Sequence, residues 1–490
     1  TGLLLTALLA AVACTATPTP TAEPTPIAQI VVATSSATPT PPPSNTPTPT
    51  RTLAPNEPTP TPTYTPSPSP TANVVVPTLG YYLSTPQREP PTAIPTLVPR
   101  LNLPAEVINV LLVGRDNEVD GEFRTDTMII VSINKSTGDI TMVSLPRDLY
   151  VFIPGNTMGT LNTAVSQNRY APDGPIALLR QTILYNFGIT THYYAVVDIE
   201  NFISIIDDLG GVEVPVACEF SDLLLASPEL DPFDSRNYVE FYVPAGIEPM
   251  DGTTAMWYAR LRKTTDDYDR SRRQQDVLRA IYYRARSLNL ITQIPQLYAD
   301  NINRVDTNMG LGDVLQFVPL VDKISDSRIR TFTIRSPYTR PFTLDERFPQ
   351  AQIPVAETFY PYIERLFTPP DTNRLTEESF VVEILNGTGN PEMALLAAYN
   401  LRLSGLAAII GPDQPATPQT MLIDYTTSDK GSPRPDIVNL FHLADDRVSP
   451  SPDAASPVDF RIVLGADYDS CPFTGNAYYP ITRPTPTPQP

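Results

Sequence analysis

Residues 258–276 read YARLRKTTDDYDRSRRQQD, which sets Arg260, Arg262, Arg270, Arg272 and Arg273 close together in a chain whose formal net charge is −19. Guanidinium is planar, permanently charged and able to grip two phosphate oxygens at once, which an ammonium group cannot do. Arginine concentrated in so acidic a chain points to an anion pocket, large enough for more than one phosphate group. The bland alternative is a solvated charged helix face, and the spacing argues against it. A helix beginning near Asp267, with acids in its first turn, carries the apolar stripe Val277, Leu278, Ile281 and Tyr282. Steps of three and four back along that stripe reach Arg270, Arg273 and Gln274, whereas Arg272 points away. The preceding YARLR is expected to run extended, with Arg260 and Arg262 on one face. Arg260, Arg262, Arg270 and Arg273 then converge, with Asp266, Asp267 and Asp269 as local partners for the buried charges.

A second set of polar groups punctuates three apolar runs, VINVLLVG (107–114), TMIIVSI (127–133) and ITMVSL (140–145). Gly114-Arg115-Asp116 ends the first, Arg124-Thr125-Asp126 precedes the second, and Pro146-Arg147-Asp148 ends the third. Ligands collect beyond strand ends in α/β sheets, and a hairpin would bring Asp116 and Asp126 face to face. Two such carboxylates suit a hard divalent cation that keeps several waters, Mg²⁺ above all; taken singly, each motif reads more readily as a turn-capping aspartate paired with its arginine. With only His192 and His442 in the chain, a Ser-His-Asp site and a histidine-rich metal site are both disfavoured. His192 reads as a packed or edge residue. Cys218 and Cys471 fall far apart, in different domains, and read as isolated thiols rather than as a disulfide. The acidic total, without a lysine-rich stripe, argues against nucleic acid.

The elements that must position these groups are legible as periodicities. The three runs are β-branched and nearly continuous, as expected of strands buried on both faces, and the turn NKSTGD makes the second and third a hairpin. Ile176, Leu179, Ile183, Leu184 and Phe187 form one helical stripe; Phe202, Ile205, Ile206 and Leu209 form another, closed by Gly210-Gly211. Strands alternating with helices indicate an α/β sandwich with a mixed central sheet. A strand, turn, helix and strand starting near residue 380 indicate a small C-terminal α/β domain.

Before residue 101 the sequence is rich in proline and threonine, as in TPTPPPSNTPTPT, and is expected to form a long disordered tether. The opening TGLLLTALLAAVAC is expected to be a lipoprotein signal ending at Cys14 or part of a transmembrane segment. Either places the remainder outside the cytoplasm, anchored to a membrane. The expected organisation is an anchor (1–14), a Pro/Thr-rich linker (15–103), a catalytic domain (104–368), a C-terminal domain (378–470) and a Pro-rich tail (471–490).

The ordered series NVLLVGRD, FRTDTMIIVSI, SLPRDLYV, LNTA (161–164), DDLGGVEV (207–214), DGTTAMWYARLR (251–262) and DYDRSRRQQ (267–275) resembles the LytR-CpsA-Psr family of extracytoplasmic cell-wall enzymes. VEILNGTGN (382–390) resembles the LytR C-terminal domain. The resemblance implies a phosphotransferase that attaches a polyprenyl-diphosphate-linked glycopolymer to peptidoglycan, with the lipid chain in an apolar tunnel. It implies Mg²⁺ on Asp116 and Asp126, and diphosphate contacts from Arg124, Arg147, Arg260, Arg262, Arg270 and Gln274. Arg147, Asp148, Arg262 and Asp267 would be catalytic, the two acids orienting arginines or assisting proton transfer. Two departures from the family pattern are Arg115, where a small residue is more usual, and a short loop between Asp116 and Asp126. The alternatives are a pyrophosphate hydrolase acting on polyprenyl-linked precursors and a non-catalytic protein that binds wall polymer or lipid phosphate.

Overall fold

A computed structural model describes residues 91–115, 125–166, 175–227, 229–324, 328–343, 351–368, 380–426 and 432–471. Its centre is a six-stranded sheet of β1 (Val107–Arg115), β2 (Thr125–Asn134), β3 (Ile140–Ser144), β4 (Tyr193–Asp198), β5 (Asp306–Thr307) and β6 (Ile329–Thr333). The order is β5-β4-β1-β2-β3-β6. β1, β2 and β3 run antiparallel as the expected meander, while β4 lies parallel to β1 and β6 parallel to β3. The sheet is therefore mixed, as the alternation of strands and helices predicted.

Continuous apolar runs are explained by burial on both faces. Ile108, Val110 and Leu112 of β1 join Ile129, Val131 and Ile133 of β2 in one core. Leu111 and Val113 join Met128 and Ile130 in the other. The first face is covered by α2 (Ile199–Asp208), α3 (Gly252–Arg260) and α4 (Asp267–Ser287); the second is covered by α1 (Pro175–Phe187) and α5 (Ala356–Phe367). Successive strand side chains alternate between faces, so one strand serves both cores. α2 ends as expected, with Gly210 and Gly211 at φ +70° and +84°, the left-handed region that favours glycine.

A second lobe is built on a five-stranded mixed sheet, from Val381–Asn386, Ala407–Ile410, Met421–Asp424, Val448–Pro450 and Phe460–Leu464, with α6 (Pro391–Leu403) packed upon it. The NGTG segment is a strand-to-helix turn. Gly389 takes φ +82°, and a Cβ on Gly387 would lie 2.8 Å from the Leu464 carbonyl oxygen. Asn386 is buried, and its side chain donates to the Asn390 carbonyl at 3.0 Å, so this formal glycosylation sequon is a structural turn.

Two expectations are corrected here. Cys218 and Cys471 are not isolated thiols: they form a disulfide, with Cα atoms 4.5 Å apart, that ties the first lobe to the end of the second across 253 residues of sequence. Cys471 therefore belongs to the folded second lobe and not to the tail. Sequence separation says nothing about spatial proximity once two lobes pack together, which is why the pairing was illegible. Residues 91–103 are likewise not an unpacked tether. Val98 and Leu101 amides donate to Tyr185 and Gly188 carbonyls at 3.0 and 2.9 Å, and Leu101 and Leu103 pack against the second core. Among the described residues, no helix is long and apolar enough to cross a membrane; the expected anchor lies outside them.

Candidate active site

The arginine-rich stretch folds as two helices with a short link. Asp251 caps α3, accepting from the Thr254 amide at 2.7 Å, and the helix runs through Tyr258-Ala259-Arg260 before Leu261 turns extended. Tyr258-Ala259-Arg260 is thus helical where an extended segment was expected, because the helix that Asp251 caps runs on through it; Leu261 and Arg262 lie outside the helix. Asp266 caps α4 by accepting from the Asp269 amide at 2.8 Å. The link brings the two helix ends together beside the strand ends.

Arg147, just past β3, lies at the centre of three carboxylates. Its guanidinium is 2.6 Å from Asp126, 3.3 Å from Asp148 and 3.7 Å from Asp267. Arg262 reaches Asp267 at 3.0 Å, and Arg270 lies 3.3 Å from Asp267 and 3.9 Å from Asp126. Asp126, Arg147, Asp148, Arg262, Asp267 and Arg270 therefore converge in one cluster. Asp116 and Arg124 lie outside the described residues. Arg115 extends toward Asp198, the N-cap of α2, at 3.5 Å.

Two adjoining cavities meet at this cluster. One, of about 150 Å³, lies between the sheet and helices α2 to α4, with Leu112, Ile129, Val197, Phe202, Val277 and Leu278 in its apolar wall and Arg260 at its polar end. The other is a polar cleft containing Arg147, Asp148 and Asp267. Asp126, Arg270 and Gln274 line both. The Arg270 side chain is only 4% exposed, and among the described residues its Nε has no hydrogen-bond partner. A buried cationic donor without an acceptor is costly, and an anionic ligand at the junction would relieve it.

Arg273 does not join them. It is fully buried and turned back along α4, where it bonds Asp269 at 2.9 Å, the Tyr258 and Leu261 carbonyls, and packs over the Phe220 ring at 4.0 Å. It caps the C-terminal end of α3, whose last carbonyls have no partner within the helix. Arg272 does not face open solvent either; it pairs with Asp269 and Asp276 at 2.8 and 2.7 Å. Helical periodicity identifies one apolar stripe but cannot foresee a second lobe covering the opposite side.

Electrostatics separate the acids. Burial pushes the Asp126 carboxyl up, but Arg147, Arg270 and Arg262 outweigh this and hold it below its ordinary value. Its contribution to stability is present above the unfolded value and lost as pH falls through the folded one. Burial raises Asp148 instead; Arg147 opposes the rise and Asp267 reinforces it, leaving the carboxyl above its ordinary value. Ionised Asp148 therefore costs stability at neutral pH, and that cost vanishes once the group is protonated. Asp148→Asn is expected to raise Tm at about pH 7 and leave it nearly unchanged near pH 3. Thermal melts at the two pH values check this; a lower Tm at neutral pH would contradict it.

Tyr268 and Gln352 also line the polar cleft and were not legible as site residues. The Gln352 amide donates to the Asp148 carbonyl at 2.9 Å, and the Tyr268 hydroxyl donates to its side-chain oxygen at 3.0 Å. Nothing local in the sequence marks Gln352. It arrives through strand pairing some two hundred residues downstream of Asp148. His192 is packed as expected, its Nδ1 accepting from the Asn109 amide at 3.0 Å.

Among the described residues, no group of three or more His, Cys, Asp or Glu side chains is arranged to hold a metal. Asp126 nevertheless offers hard carboxylate oxygen at the junction, with its side chain 35% exposed. One such carboxylate, here also paired with Arg147, is compatible with a cation such as Mg²⁺, which is held by one or two carboxylates together with water and substrate phosphates.

Comparison with known proteins adds the following. The LytR_cpsA_psr family matches residues 88–346, just over half of the 490. A protein of Oceanobacillus iheyensis named polyisoprenyl-teichoic acid–peptidoglycan teichoic acid transferase TagU is 34% identical over 214 residues, covering 43% of this chain and 61% of its own length. Regulatory protein MsrR of Staphylococcus aureus is 30% identical over 210 residues, covering 43% of this chain and 58% of its own. The chain thus spans less than two thirds of the length of these curated relatives. Among solved structures, Bacillus subtilis TagV is similar with 22% identity and a TM-score of 0.43, over 55% of this chain and 100% of that one.

Proposed function

Because this chain belongs to the LytR-CpsA-Psr family, we propose that it is an extracytoplasmic phosphotransferase that attaches a polyprenyl-diphosphate-linked glycopolymer to peptidoglycan. The observation that carries this reading is the junction of an apolar cavity with an arginine-lined cleft at Asp126, Arg270 and Gln274. An apolar slot ending in buried guanidinium fits an amphiphile whose head is a diphosphate. The name of the Oceanobacillus relative, a polyisoprenyl-teichoic acid–peptidoglycan transferase, agrees with that substrate class. The disulfide supports a location outside the cytoplasm, since such bonds persist in oxidising compartments. Membrane attachment through Cys14 or a transmembrane segment is part of the same proposal.

The residues divide the work as follows. Arg260, Arg262, Arg270 and Gln274 orient the diphosphate, with Arg147 held ready by its three acids. Arg124 is assigned with them by the family pattern. An acceptor sugar hydroxyl attacks the sugar-linked phosphorus, a new P–O bond forms, and the bond to polyprenyl phosphate breaks. Asp148, the acid with raised proton affinity, takes the hydroxyl proton, while Asp267 holds Arg147, Arg262 and Arg270 in register. Fixed guanidinium donors aimed at oxygens that gain charge in the transition state supply the main stabilisation. Asp126 and Asp116 would hold Mg²⁺, which when bound neutralises phosphate charge.

The cavity provides a direct test. Ala259→Phe places a ring in the apolar slot and leaves every arginine in the sequence. Binding of a long polyprenyl diphosphate is expected to fall to the level of inorganic diphosphate, which should itself bind as before, measured by calorimetry. Unchanged binding of the long lipid would remove the cavity from the proposal.

A further inference from the structure

We infer that the second lobe positions the phosphate-binding arginines through a buried relay beginning at Tyr399; the inference rests on the proposed reading of the site. The Tyr399 hydroxyl, on α6, donates to Asp276 Oδ1 of α4 at 2.8 Å. Asp276 Oδ2 accepts from Arg272 at 2.7 Å, and the same guanidinium reaches Asp269 at 2.8 Å. The other Asp269 oxygen accepts from Arg273 Nε at 2.9 Å. Arg273 then donates to the Tyr258 carbonyl, to the Leu261 carbonyl at 2.5 Å and to the Thr265 hydroxyl at 3.2 Å. Those two carbonyls bracket Arg260, and that of Leu261 immediately precedes Arg262.

From Tyr399 to the Tyr258 carbonyl each link uses a different oxygen or nitrogen of its residue, so these groups cannot exchange partners without breaking the series. The relay is mostly buried, with the Arg272 and Asp269 side chains 19% and 15% exposed. Asp276 is 4% exposed, Arg273 is fully buried and Tyr399 is 8% exposed. In such surroundings an unpaired carboxylate is expensive, and the series behaves as a unit instead of as separate pairs. The Arg279 guanidinium, 5.4 Å from the Tyr399 ring centre, packs against the same tyrosine. The second lobe is fixed on this side of α4 by independent ties: the Cys218–Cys471 disulfide and the Ser470 hydroxyl donating to the Ala217 carbonyl at 2.7 Å. Its tyrosine hydroxyl therefore stands at a set position from which α4 and the α3 terminus take their register. Tyr399 is a positioning residue. It touches neither cavity.

The test uses the full chain and farnesyl diphosphate as the probe, with Kd from calorimetry and Tm from thermal melts. Tyr399→Phe keeps the ring and removes one hydroxyl; it is expected to weaken binding by about five- to ten-fold. In an Asp276→Asn background the same change is expected to cost nothing further, because the relay is already cut. Ile462→Val, in the core of the second lobe, is expected to lower Tm while leaving Kd within about two-fold, separating positioning from general loss of stability. Unchanged binding by Tyr399→Phe, or an equal loss in Ile462→Val, would overturn the relay alone. No binding by the wild-type chain would overturn the site reading and the relay with it.

Discussion

Arg262→Ala is expected to lower turnover by about two to three orders of magnitude, on the order of 2.7 to 4 kcal/mol in activation free energy, with no measurable change in Tm. The two halves of this expectation have separate physical grounds. The Arg262 side chain is 37% exposed and its one described ion pair is with Asp267, at 3.0 Å. Partly exposed pairs of this kind contribute about 0 to 1 kcal/mol to folding. Its cost in catalysis is far greater, because a guanidinium aimed at a phosphate that gains charge has no substitute in water once it is removed. Steady-state kinetics beside a thermal melt would check both halves. A fully active variant would remove Arg262 from the mechanism, and an unfolded one would show that its role is structural.

Arg273→Ala is expected to have the opposite signature. Its guanidinium is buried, sits over Phe220 and serves Asp269, Thr265 and two α3 carbonyls. Alanine would leave the Tyr258 and Leu261 carbonyls without this donor, remove one of the two arginines paired with Asp269 and open a cavity, a combination that costs about 3 to 5 kcal/mol. Tm should fall on the order of 10 °C. A variant that melts like the wild type would contradict the role assigned to Arg273. These two arginines lie in the same short stretch of sequence, yet one pairs with Asp267 of the polar cleft and the other holds the backbone that precedes it.

That contrast marks what could be read beforehand. The sheet was legible because β-branched runs buried on both faces have few other structural solutions, and the hairpin turn fixed the neighbours of β2 and β3. Helices α1, α2 and α4 were legible because their stripes repeat at helical spacing, and the end of α2 and the start of α4 are also marked, by Gly210-Gly211 and by acids in the first turn. Arg270 and Gln274 lie beside both cavities for the same reason, since they continue the stripe of Val277 and Leu278. Arg273 continues it too, but periodicity gives a face and not a direction along the axis, and this side chain runs back toward the end of α3. Gln352, Tyr399 and the Cys218–Cys471 pair were illegible on different grounds. Each acquires its place through contacts between segments distant in sequence, and no local pattern encodes such contacts.

The central claim is group transfer from a polyprenyl diphosphate to a wall glycan, and release of polyprenyl phosphate tests it most directly. The full chain would be incubated with a polyprenyl-diphosphate glycan and Mg²⁺, with and without peptidoglycan fragments, and the lipid product measured. The account predicts release that requires the acceptor, transfers the glycan to it and is lost in Asp126→Asn. Release at the same rate without acceptor would contradict it in favour of hydrolysis. Tight lipid binding with no release under either condition would leave a binding protein in place of an enzyme.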